Sequence, residues 1–227
     1  MRNRFRGNIA MPDQTFSPEE LALQDAIHDD PRNDALRLEY AAWIDRQGNM
    51  SRSDQAEFLR LDVEHEQLQP VMHGPHDYTP AQSDRYSEIR RRLQDLHCSL
   101  DPHWLVRVDR DLAIPPELSP RGKEAVRLIL DFLLAERLTG TGGCRAFYSP
   151  QQWKERGEEY GHDALLILVY DGGDISMCMD PAEGQHELVD RFMENLEQNG
   201  FVIEPLSHWC SAIYDEKDYK PFAIGLG

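Results

Sequence analysis

An α+β fold is predicted, with an all-helical N-terminal module followed by a mainly antiparallel sheet packed with helices. Three observations lead there. Up to about residue 110 the apolar residues recur at helical spacing. Residues 164–170 then form a run too apolar to face water, which reads as a central strand. After it, short apolar runs joined by brief turns are interspersed with helical patterns rather than alternating strictly with them. The expected division is a flexible tail over 1–16, a helical module over 17–110, a linker over 111–119 and an α+β domain over 120–227.

The first helix start is Phe16-Ser17-Pro18-Glu19-Glu20, where Ser17 caps, Pro18 takes the first position and Glu20 completes a capping box. Leu21, Leu23, Ala26 and Ile27 form its apolar face, and Asp30-Pro31 stops it. A second helix runs from about Asp34 through Tyr40, Trp43 and Ile44, closed by Gly48. A third begins near Ser53 and carries Phe58, Leu59 and Val63. Residues 69–80, with three prolines, a glycine and two histidines, read as a loop. A fourth helix spans about 84–96, and its Arg90-Arg91-Arg92 run is expected to pair with nearby carboxylates.

Pro115-Pro116 marks the expected linker, after which Ser119-Pro120 opens a long helix ended by Gly140, Gly142 and Gly143. Residues 146–148 are a short strand candidate, and Ser149-Pro150 caps a helix through Trp153. Asp171-Gly172-Gly173-Asp174 is expected to turn the central strand into a hairpin with a second strand over 175–179. A helix over 181–198 and two strands, 201–206 and 209–214, complete the pattern.

Residues 20–68 resemble the repeat-companion domain, a short helical module abundant in planctomycete proteins. The likeness is carried by Arg37-Leu38, Tyr40-Ala41, Trp43-Ile44, Gly48 and Ala56-Glu57-Phe58-Leu59-Arg60-Leu61. Ala42 and Gln55 depart from it, standing where the family usually has an aspartate and an arginine. The resemblance implies an adaptor module and assigns no catalytic residues. Around Trp153, Arg156-Gly157-Glu158-Glu159-Tyr160-Gly161 and Asp171-Gly172-Gly173, the second half resembles a conserved bacterial domain to which no activity attaches.

Composition narrows the function. Net charge is −17, from 41 acidic and 24 basic residues, which repels phosphate backbones and favours a basic protein partner over nucleic acid. No window approaches the roughly 20 apolar residues of a membrane helix. Arg2, Arg4 and Arg6 are not followed by the apolar core of a secretory signal. Cys98, Cys144, Cys178 and Cys210 lie far apart and match no metal or haem spacing, so reduced thiols and a cytoplasmic setting are expected.

Candidate chemistry is sparse. Thr139-Gly140-Thr141-Gly142-Gly143 follows a helix, whereas a phosphate cradle precedes one, so helix termination is the expectation. His73 with His76, His97 with Cys98, and His208 with Cys210 offer two metal ligands each, short of the four a structural zinc takes. Cys178 or His186 would complete the last pair only if the fold brought them together. No metal and no cofactor are expected. Asp171 and Asp174, with Glu158 and Glu159 near them, are the candidate acid and base of a carboxylate-dependent or metal-assisted hydrolase. Trp153, Tyr160, Trp209 and Tyr214 are the candidate partner-binding residues, because tryptophan and tyrosine dominate binding hot spots. The expected function is a non-catalytic interaction protein, a regulatory adaptor of the signalling or immunity type. The hydrolase is one alternative and an acidic mimic of nucleic acid the other.

Overall fold

The computed structural model describes residues 16–73, 79–179 and 186–220. Its first half is helical: α1 (Pro18–Asp29), α2 (Asp34–Arg46), a 3-10 turn at Met50–Arg52, α3 (Ser53–His73), α4 (Pro80–Ser99) and α5 (Pro102–Val108). Ser17 caps α1 by accepting from the Glu20 amide at 3.2 Å. Glu20 does not return the bond, as a capping box would require. Its carboxylate turns inward, 3% exposed, and accepts the Tyr40 hydroxyl at 2.6 Å.

Residues 69–73 and 80, expected to belong to a loop over 69–80, are helical. The α3 helix continues to His73, and α4 begins at Pro80 because Thr79 and Gln82 form a capping box. Packing of α3 against α4 explains the extension: Arg85 grips Glu64 with two bonds, and His65 stacks on Tyr86 with ring centroids 4.9 Å apart. The sequence reading missed α5, although Asp101-Pro102 is a start signal of the same kind as Ser17-Pro18. Its Trp104, Leu105 and Val108 enter the core formed by α1, α2 and α3.

That core has a polar spine. Tyr40 donates to Glu20 and accepts from Gln24 Nε2 and Trp104 Nε1, each at 2.9 Å. Arg52 closes the cluster onto Glu20. Beside it Arg37, fully buried, donates to the Val108 carbonyl at 2.6 Å and pairs with Asp62 at 3.1 Å. Buried polar groups persist only when bonded in this way.

The second half contains α6 (Pro120–Glu136), β1 (Phe147–Tyr148), α7 (Pro150–Glu155), β2 (Leu166–Val169), α8 (His186–Gln198), β3 (Phe201–Pro205) and β4 (Cys210–Asp215). The four strands form one antiparallel sheet in the order β1-β2-β4-β3. Cross-strand pairs share a face: Phe147 with Leu168 and Leu166 with Ile213 point towards α6 and α8, while Tyr148 with Ile167 and Val169 with Cys210 point the other way. Both faces of β2 are therefore covered, which explains its unbroken apolar sequence.

Two expectations in this half fail. Residues 175–179 are not a strand; Asp174–Cys178 is a 3-10 helix, whose Ile175 and Cys178, three apart, both turn into the core. Asp171-Gly172-Gly173-Asp174 is accordingly no hairpin turn, and β2 pairs with β1 and β4 instead. Residues 111–119, expected as a linker, are packed in place. Leu112, Ile114 and Leu118 join the core under α6, and the Ala146 amide donates to the Asp111 carbonyl at 2.8 Å. Among the described residues no helix is long and apolar enough to cross a membrane.

Candidate functional site

Of the aromatic residues singled out in the sequence, Trp153 is buried, 1% exposed, and cannot present its ring to a partner. It props up the others: its ring lies 5.6 Å from both Tyr148 and Trp209. Arg156 sits over Tyr148 and Trp153, at 5.0 and 5.3 Å from their ring centres. Trp209 and Tyr214 are half-buried on the same side of the sheet, and Tyr160 is 52% exposed. Burial, reinforced by Asp163 and Glu204, pushes the Tyr214 hydroxyl up to about 12. Among the described residues, the helix on this face of the sheet is the six-residue α7, whereas α6 and α8 cover the other.

The candidate carboxylates do not assemble. Asp171 is exposed, and its main-chain oxygen accepts the Cys144 thiol at 3.4 Å. Asp174 is tied down by the Gly140 amide at 2.9 Å. Glu158 lies 3.6 Å from Arg156, and Glu159 is exposed. Neither glutamate lines the cleft that Asp174 lines.

Metal ligands do not gather either. Cys178 belongs to the core on the α6 side of the sheet and Cys210 to the opposite face. Burial pushes the Cys178 thiol up to about 12, and Cys210 shares a hydrogen bond with Ser207 at 3.2 Å. Among the described residues, no three histidine, cysteine or carboxylate groups could hold a metal ion. His76 and the tail arginines Arg2, Arg4 and Arg6 lie outside the described residues.

What the fold does bring together are the two glycine motifs. The α6 helix ends before its glycines, at Arg137 in the left-handed conformation (φ 60°), with the Leu138 amide bonded to the Leu133 carbonyl at 2.8 Å. Gly140, Gly142 and Gly143 are thereby left to dock on the Asp171–Asp174 loop. The Asp174 amide donates to the Gly140 carbonyl at 2.7 Å, answering the Gly140 bond to the Asp174 carboxylate. A side chain on Gly142 would stand 2.6 Å from the Gly173 nitrogen, and one on Gly173 would stand 2.5 Å from the Gly142 nitrogen. Both residues also have positive φ, so backbone contact and conformation each require glycine.

The joined loops form one wall of an open cleft of about 1380 Å³ between the two halves of the chain. The facing wall is one side of α4, with Tyr86, Arg90, Gln94 and His97 at helical spacing. At the floor His97 bonds Asp109 at 3.0 Å; burial lowers its pKa, but the Asp109 bond and charge outweigh that and raise it overall. Asp111, bonded by Thr141 at 3.2 Å, is pushed up to about 7 by burial and by the neighbouring Asp109 and Asp62. Asp62 itself is held by Arg37 and Arg110. Sequence reasoning noticed His97 and the arginine run but not that they line one cleft, because only the fold sets the loops of the second half opposite α4. Comparison with protein-family models, curated proteins and solved structures found no match, so the site rests on its own geometry.

Proposed function

We propose that the protein is a non-catalytic interaction module, a regulatory adaptor of the signalling or immunity type. It binds another protein through the sheet face opposite α6 and α8. One observation carries this reading: that face holds an aromatic cluster under α7, in which Trp209 and Tyr214 are partly open to solvent. Rings of this kind supply large contact area at little entropic cost. Asp163 and Glu204 beside Tyr214, within a chain of net charge −17, fit a partner with a basic contact surface.

The helical half is read as a repeat-companion-like module. The residues of that motif, Arg37, Tyr40 and Trp43, are buried here and organise the helical core. Scattered free thiols accord with a cytoplasmic setting. The structural bonds made by Asp174, and the placement of Glu158 with Arg156, weigh against a hydrolase centred on these carboxylates.

Affinity capture from the native cell tests the proposal, with Trp209→Ala and Tyr214→Ala compared against the parent chain. Both variants are expected to lose the same captured protein while keeping the parent's circular dichroism. Undiminished recovery by both would sink the sheet-face reading.

A further inference from the structure

On α4 the arginines divide into two groups. Arg85 pairs with Glu64 and Glu88, and Arg92 pairs with Glu57 and Asp54, so both are neutralised locally. Arg90 and Arg91, between them in sequence, turn to the cleft instead, where Arg137 joins them from the end of α6. All three are exposed, and none has an ion-pair partner among the described residues. Acidic side chains outnumber basic ones by 41 to 24, so arginines without carboxylates on one cleft need a reason.

The carboxylates of the same cleft are engaged. Asp109 is held by His97, Asp62 by Arg37 and Arg110, Asp174 by the Gly140 amide, and Asp111 by Thr141. Glu66 and Asp101, which also line it, accept from Gln69 Nε2 and the His103 amide, so of its carboxylates and arginines Arg90, Arg91 and Arg137 are left without a bonded partner among the described residues. The glycine loop leaves room beside it: Arg90 Nη2 lies 4.0 Å from the point where a Gly143 side chain would begin, over bare backbone.

We infer that Arg90, Arg91 and Arg137, facing the Gly142–Gly143 loop, form a binding site for a phosphate group carried by a ligand. Guanidinium forks match the oxygens of a phosphate and hold it by paired charge-assisted bonds. Long polyanions are disfavoured by the overall field, so a single phosphate on a small molecule or a short peptide is the fitting size. This inference concerns a different surface from the aromatic sheet face and does not depend on it.

The test is titration of the full-length isotope-labelled protein, followed through its amide resonances, with inorganic phosphate, adenosine 5′-monophosphate and a phosphoserine peptide pool in separate arms. The unphosphorylated pool and chloride at matched ionic strength serve as references. In at least one phosphate arm the Gly142 and Gly143 resonances should move saturably, and the strongest arm identifies the source of the phosphate. The double variant Arg90→Gln/Arg137→Gln should weaken that binding at least tenfold, while Arg85→Gln leaves it unchanged. The double variant alters exposed side chains and Arg85→Gln a half-exposed one, and folding is checked by the rest of the spectrum. Shifts no larger than with chloride in every arm would overturn the site. So would equal weakening by Arg85→Gln, or unchanged binding by the double variant.

Discussion

The two halves of the chain solve the problem of a core differently. In the helical half, helix faces alone leave gaps, and long polar side chains fill them: Arg37, Tyr40, Gln24 and Glu20 are all buried and bonded to one another or to carbonyls. In the α+β half, the space between sheet and helices is filled by apolar residues such as Phe147, Ile129, Phe192 and Phe201. Polar contacts there include the bonds between the glycine loops and the buried hydroxyl pair of Tyr170 and Ser211, 3.1 Å apart. A polar core resists the loss of a partner poorly, because the group left behind is charged and dry. Close backbone contact resists any added atom poorly. The two halves therefore fail by different routes.

The largest effect is expected at Arg37. Arg37→Ala removes the donor to the Val108 and Pro31 carbonyls and one partner of Asp62. Urea unfolding should show a loss of about 3–5 kcal/mol, the cost of breaking a buried ion pair from one side. A loss below about 1 kcal/mol would mean that the polar spine does not hold the helical half.

In the second half the sharper contrast lies between adjacent glycines. Both have positive φ, but Gly172 has open space around a would-be side chain while Gly173 meets the Gly142 nitrogen at 2.5 Å. Gly172→Ala should cost about 1–2 kcal/mol for the left-handed conformation alone. Gly173→Ala should cost about 1–2 kcal/mol more as the loops are forced apart. Equal melting temperatures for the two variants would show that the loop contact contributes nothing.

A smaller effect belongs to the junction between the halves. Asp111 is raised from 3.8 to about 7, so the folded protein binds the extra proton between those values and stability falls as pH rises through them. His97 is also raised, from 6.5, and its contribution is complete below that value and lost as pH rises through the folded one. The two signs agree: the melting temperature should decline from about pH 5 to pH 8. Asp111→Asn should flatten that decline and raise the midpoint at pH 8 by roughly 2–4 °C, the shift expected of about 1 kcal/mol in a chain this size. A midpoint at pH 8 no higher than the parent's would contradict the burial of a charge at Asp111.

Much of the fold was legible because it rests on local chemistry. Ser17-Pro18, Ser119-Pro120 and Ser149-Pro150 each start a helix where the sequence places it, since capping is decided within one turn. The run over 164–170 announces β2 through its lack of polar positions. Residues 175–179 were misread because a short apolar run looks alike at a period of two or three until the core it faces is known. The candidate site was less legible still. Glycines that read as a helix stop and a hairpin turn are in fact partners at Gly142 and Gly173, far apart in sequence, and no local pattern encodes such a pairing.

By itself the sequence determined the fold class, most helix starts, the central strand and the acid excess, all properties of neighbouring residues and composition. Only the tertiary structure decided that Trp153 is core, that Arg37 and Glu20 are interior, and that Arg90, Arg91 and Arg137 share a cleft with the glycine loops. The physical reason is that burial and the presence of a counter-charge are set by whichever distant segment packs alongside. Spacing along the chain carries no record of that choice.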